Sequence, residues 1–227
     1  MSVAFIKSTR IVFGVAVVAL LGACGGGKEA PSVQAARPAV PAAVEDLRPV
    51  IAAFGDSLSA GYGLDPGKSF PDGVQRLIDA RKLNWHVVNM GVSGDTTTDG
   101  VVRLPAVLAV HPKIVIVEFG GNDGLRGLPV TTTEKNLAEM IEGIQGAGAK
   151  VVIAGMSLPR NYGPEYILSF EQVFQRLAKK YKATLVPFLL DGVGGNPALM
   201  QADGIHPTAD GAEIFSRTVM QYLKPQL

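Results

Sequence analysis

Four short polar clusters carry the side chains that could do chemistry in this 227-residue chain. They are Gly55-Asp56-Ser57, Gly91-Val92-Ser93-Gly94-Asp95, Gly120-Gly121-Asn122-Asp123 and Asp203-Gly204-Ile205-His206-Pro207. A serine hydroxyl is a weak nucleophile until a base takes its proton during attack, and histidine suits that task near neutral pH. Of the three histidines, His206 alone sits in a loop with an acid close by. Asp203 precedes it by one turn and can orient the imidazole. His86 begins a strand pattern and His111 ends a helix pattern before Pro112, so both read as structural or solvent-facing. A tetrahedral intermediate also needs donors for its oxyanion. The Ser57 N–H, the Gly94 N–H and the Asn122 side-chain amide are the candidates. Asp56, Asp95 and Asp123 read as residues that hold turns. Each cluster taken alone has an ordinary reading as a βα turn, a helix entry or a chance DxxH spacing. Only the set points to acyl transfer through a serine.

The elements that must position these residues alternate along the chain. Short apolar runs at 50–54, 86–90, 114–119, 151–156 and 184–188 predict strands, most of them buried on both faces of a parallel sheet. Helical patterns lie at about 70–82, 98–110, 134–147, 165–181 and 208–224, with Thr133 and Thr208 as helix starts. Alternation of this kind predicts one three-layer α/β domain. Ligands in such sheets bind beyond the carboxyl ends of the strands, where the clusters fall. Arg160, Asn161 and Tyr162 follow the fourth strand and could touch an acyl tail or a lid; a surface loop is the equal alternative.

Composition narrows the partners. Lys plus Arg (21) nearly cancels Asp plus Glu (20), which gives no electrostatic reason to expect nucleic acid. One cysteine and three histidines without helical pairing do not make a metal site. At the N-terminus Lys7 and Arg10 precede IVFGVAVVALL, too short to span a bilayer but suited to a secretory h-region. Leu21-Gly22-Ala23-Cys24 follows at once. Residues 1–23 therefore read as a lipoprotein-type signal and Cys24 as the lipidated first residue of the mature chain, a plain cleaved signal being the alternative. Residues 24–47 read as that cysteine and a Gly, Ala and Pro-rich tether, on the order of 25–30 Å across as a coil. Residues 48–227 form the folded domain. The expected location is the bacterial envelope, anchored through Cys24 and facing the periplasm. Gly25, where inner-membrane lipoproteins commonly carry aspartate, favours the outer membrane. A soluble periplasmic protein is the alternative.

The chain resembles the SGNH-hydrolase superfamily of GDSL-type esterases and lipases. The matching positions are Ser57 in GDSLSAGYG, Gly94 in GVSGDTTTDG, Asn122 in EFGGNDGLRG and His206 in DGIHP. Within it the resemblance is to the bacterial thioesterase I, lysophospholipase and arylesterase group, extending through RLPAVL and SLPRNYGPEY. It implies a flavodoxin-like fold with strand order 2-1-3-4-5 and a Ser57–His206–Asp203 triad. The implied oxyanion hole is formed by Ser57, Gly94 and Asn122, with no metal or organic cofactor. The implied substrates are small-molecule or lipid esters and thioesters with apolar acyl chains. Carbohydrate O-acetylesterases share the superfamily, but Trp85 is the only tryptophan and reads as core packing. A catalytically silent lipid-binding lipoprotein is a reading of another class, although neither base nor nucleophile is missing.

Overall fold

The computed structural model describes residues 46–227; the signal, Cys24 and nearly all of the tether lie outside the described residues. Five strands, β1 (Val50–Gly55), β2 (His86–Gly91), β3 (Ile114–Glu118), β4 (Lys150–Ala154) and β5 (Thr184–Val186), pair in parallel in the order β2-β1-β3-β4-β5. That is the expected order. Between them run α1 (Ser57–Ala60), α2 (Phe70–Ala80), α3 (Thr97–Leu108), α4 (Gly121–Leu125), α5 (Val130–Gly146) and α6 (Pro164–Tyr181), and α7 (Ala209–Leu223) closes the chain. α2 packs with α7, while α5 packs with both α3 and α6, giving helices on both sides of the sheet.

The apolar runs become strands because burial rewards them. β3 is buried throughout and β1 after its first residue, and Phe54 meets Phe119 edge-on at a centroid separation of 4.7 Å. Each such ring contributes about 1.5–3 kcal/mol by burial. β2 departs from the expectation of two covered faces. It is an edge strand, half-buried along most of its length. Its HVVNMG sequence carries His86 and Asn89, polar residues that an edge tolerates.

Several boundaries move for local reasons. α5 starts at Val130, after Pro129, so Thr133 is not a cap but a buried residue whose hydroxyl faces Asp123 at 3.4 Å. β4 and β5 stop earlier than the apolar runs do. Gly155 N–H donates to Val186 O (2.8 Å) and Gly155 O accepts from Leu189 N (2.9 Å), which turns the chain off the sheet. α3 starts one residue early because Thr96 and Asp99 make a capping box. Thr208 caps α7 as expected, accepting from Gly211 N at 3.3 Å.

The register sets the site. Gly55 pairs with Gly91 on one side and Glu118 on the other, so β1, β2 and β3 end level.

Candidate active site

The turn after β1 is compressed between its neighbours. A Cβ at Gly55 would strike the Ser59 hydroxyl and the Glu118 carboxyl, so only glycine lets α1 fold this close to β3. Asp56 then caps α1, its Oδ1 accepting from Leu58 N at 3.1 Å. This is the turn-holding role expected of it. Ser57 is the first residue of α1 and points out of the sheet end toward His206.

His206 arrives from a loop closed on itself. Gln201 N donates to His206 O (2.7 Å), Thr208 N to Leu199 O (2.8 Å), and Gly204 N to Gln201 O (2.9 Å). Asp203 Oδ1 accepts from Ile205 N (2.9 Å) and His206 N (3.0 Å), while Oδ2 meets His206 Nδ1 at 2.7 Å. His206 Nε2 lies 2.8 Å from Ser57 Oγ. A carboxylate only accepts, so Nδ1 carries the proton and Nε2 accepts from the serine hydroxyl. The ring is thereby in the tautomer that can take the Ser57 proton. Burial alone would push Asp203 upward, but the two loop N–H groups and the ring more than offset it, bringing the carboxyl from 3.8 down to about 2.

Of the other oxyanion candidates, Asn122 lies on α4 and Gly94 in the loop between β2 and α3. Asn122 Nδ2 donates to Asp95 O (2.9 Å) and to Asp56 Oδ2 (3.1 Å), which uses both hydrogens of the amide. An oxyanion would take over the longer of these two bonds or share its hydrogen. Gly94 has φ of +90°, and its carbonyl accepts from Arg126 Nη2 at 2.9 Å. The Gly94 loop is thus tied to α4 by Arg126 and by the Asp95–Asn122 bond. Asp95 and Asp123 have structural partners: Asp95 pairs with Arg103 Nε at 2.5 Å, and Asp123 accepts from Thr97 N (2.9 Å) and Thr97 Oγ1 (2.5 Å).

Beside Ser57 and His206 opens a cavity of about 400 Å³, with Met156, Leu158, Phe188, Leu190, Met200 and Ile205 on its walls. Ser57, Asn122 and His206 line it, and Gly94 does not. Arg160 lines it too. Asn161 is exposed and outside it, and Tyr162 is half-buried with its hydroxyl donating to Leu125 O (2.7 Å). The structure therefore brings one of those three residues to the cavity.

Other participants gave no motif signal. Gln201 Nε2 donates to both Tyr62 O (2.8 Å) and Pro207 O (2.9 Å), latching the His206 loop to the segment after α1. The Tyr62 ring lies over His206 at 4.6 Å between centroids. Arg103 donates to Met90 O and Gly55 O (each 2.9 Å), clamping two strand ends. A lone glutamine or arginine in a loop or helix looks ordinary in sequence. The aromatic in SLSAGYG, next to the serine, was the one available cue.

Residues 53–214 match the model of the GDSL-like lipase/acylhydrolase family. The chain is 44% identical over 174 residues to the esterase TesA of Pseudomonas aeruginosa, covering 76% of this chain and 87% of that protein. It is 39% identical over 173 residues to thioesterase 1/protease 1/lysophospholipase L1 of Escherichia coli K12, covering 76% and 82%. A crystal structure of TesA superimposes with a TM-score of 0.76 at 43% identity, over 78% of this chain and 99% of that one.

Proposed function

The chain belongs to the GDSL-like lipase/acylhydrolase family and is a hydrolase of esters, and within that activity we propose that it cleaves esters and thioesters of apolar acyl chains through an acyl-serine intermediate. Ser57 attacks the acyl carbonyl while His206 Nε2 takes its proton. Asp203 holds the ring and the charge it acquires. The Ser57 and Gly94 N–H groups and the Asn122 amide stabilise the oxyanion. His206 then returns the proton to the departing alcohol or thiol, and a water molecule activated the same way releases the acid. The observation that carries this reading is the unbroken relay from Ser57 Oγ to Asp203, 2.8 Å and 2.7 Å, at the wall of an apolar cavity.

The cavity lining supports acyl chains over acetylated sugars. Trp85 packs against the core, so it gives no platform for a sugar ring. Each methylene buried contributes about 0.8 kcal/mol, hence roughly fourfold in kcat/KM per carbon until the cavity is full. A p-nitrophenyl ester series from acetate to palmitate should therefore rise through medium chains. A steep preference for acetate would instead mark a carbohydrate O-acetylesterase.

The lipid anchor is a second part of the proposal. It is supported by the order of basic residues, apolar run, small residues and Cys24. Cys24→Ser should move the protein from the membrane pellet to the soluble fraction of a bacterial host. An unchanged distribution would favour the soluble periplasmic form.

A further inference from the structure

Beneath the Ser57 turn lie two carboxyl groups that the mechanism above does not use. Glu118, at the end of β3, has no solvent exposure, and Asp56 is 2% exposed. Glu118 Oε2 accepts from Asp56 N (3.2 Å), Ser59 N (3.0 Å) and Ser59 Oγ (2.7 Å). Its Oε1 is the one buried side-chain nitrogen or oxygen among the described residues with no partner. An unpaired buried acceptor on an ionised group is costly, and a proton on that oxygen would turn it into a donor. The neighbouring acceptor is Asp56, whose own N–H donates to Glu118 Oε2. Asp56 in turn receives Leu58 N–H and the Asn122 amide.

Among the described residues no cation pairs with either carboxyl. Arg103, on α3, gives its hydrogens to Asp95, Met90 O and Gly55 O. Arg126, at the end of α4, donates to Gly94 O, and Asp123 on that helix is held by Thr97. His206 meets the turn only through Ser57.

We propose that Glu118 is a positioning residue held as the neutral acid, donating its proton to an ionised Asp56 and so fixing the Ser57 turn and the Asn122 amide together. The inference rests on the acyl-serine reading for its catalytic consequence. Oε2 receives three donors and Oε1–H supplies one, so every polar atom of the side chain is then satisfied. When an oxyanion draws the Asn122 hydrogen away, the Glu118 proton still compensates the Asp56 charge. Burial, then the Asp56 charge, raises Glu118 well above the usual carboxylate range, in the same direction. Ionising Glu118 at high pH would set two charges against each other under Ser57 and lower kcat more than it raises KM.

Glu118→Gln keeps an acceptor for the three donors and an N–H for Asp56. It should retain kcat within about threefold at neutral pH and lack the fall in kcat expected of the wild type at alkaline pH. Its melting temperature should exceed that of the wild type by a margin that widens from about pH 5 to about pH 8, because the unfolded wild-type chain gives up a proton that the folded chain keeps. Independently, wild-type protein labelled with ¹³C at its glutamate carboxyls should show a neutral-acid signal at about pH 7. Glu118 is the one glutamate among the buried residues described, so that signal decides the matter even if the variant does not fold. Signals from carboxylates alone, a margin that does not change with pH, or a hundredfold loss of kcat in Glu118→Gln would each overturn the proposal. The first two need no turnover, so they stand apart from the test of Ser57.

Discussion

Ser57→Ala should lower turnover of a medium-chain p-nitrophenyl ester by roughly a million-fold, with the fold and melting temperature close to those of wild type. The hydroxyl is a proton donor to His206 Nε2 and does not support the core; α1 is capped by Asp56 and by the contacts beneath it. Deleting the oxygen leaves the cavity, the Asn122 amide and the His206 loop in place, so substrate still binds and KM changes little. What remains is whatever rate the oxyanion donors and a His206-activated water supply. The variant should also form no acyl-enzyme, which mass spectrometry of protein quenched during turnover reads directly. Full activity in Ser57→Ala would sink the mechanism.

Asp203→Asn should cost less, about ten-thousand-fold in kcat, and the loop geometry says why. Two backbone donors, Ile205 N–H and His206 N–H, converge on Oδ1. An asparagine must turn its carbonyl oxygen to them, which leaves its NH₂ facing His206 Nδ1. Nδ1 then has to accept, the proton moves to Nε2, and the ring can no longer receive hydrogen from Ser57. The same substitution has a pH signature in stability. Asp203 is depressed to about 2 from 3.8, so its contribution is present above the ordinary carboxylate range and is lost as pH falls through about 2. Wild type should therefore melt above Asp203→Asn near pH 5, and the gap should close toward pH 2. A gap that is constant over that range would mean the carboxylate is not held by the loop.

The sheet was readable because PVIAAF and IVIV are unbroken apolar runs that lead into glycine-bearing polar turns, and burial on both faces gives such runs little choice. Ser57 and Asn122 were readable as candidates because the alternation of elements fixes where strands end, and His206 because it alone stood in a loop with an acid three residues before it. The edge position of β2 was not. Strand order depends on crossovers, which no local stretch encodes, and it came only from resemblance. The short helices α1 and α4 were missed because one capping aspartate and a few glycines look like a turn until tertiary contacts extend them. Glu118 was hidden for another reason. Read along β3 it is a polar residue where a strand stops; its burial depends on Gly55 standing opposite, one strand away. Gln201 likewise acquires meaning only from Tyr62, far off in sequence.

The Ser57–His206 pair spans 149 positions of the chain, and the second member lies in its last stretch. During synthesis the serine and the oxyanion donors emerge long before any base exists to use them. Closing a loop of that length costs roughly 4 kcal/mol more than closing a minimal one, and the docking of α7 on α2, where Phe70 meets Phe215 at 5.0 Å, is what offsets it. Under the proposed mechanism a nascent or C-terminally clipped chain is thus chemically idle. The hydrolase switches on once, when its final helix is home.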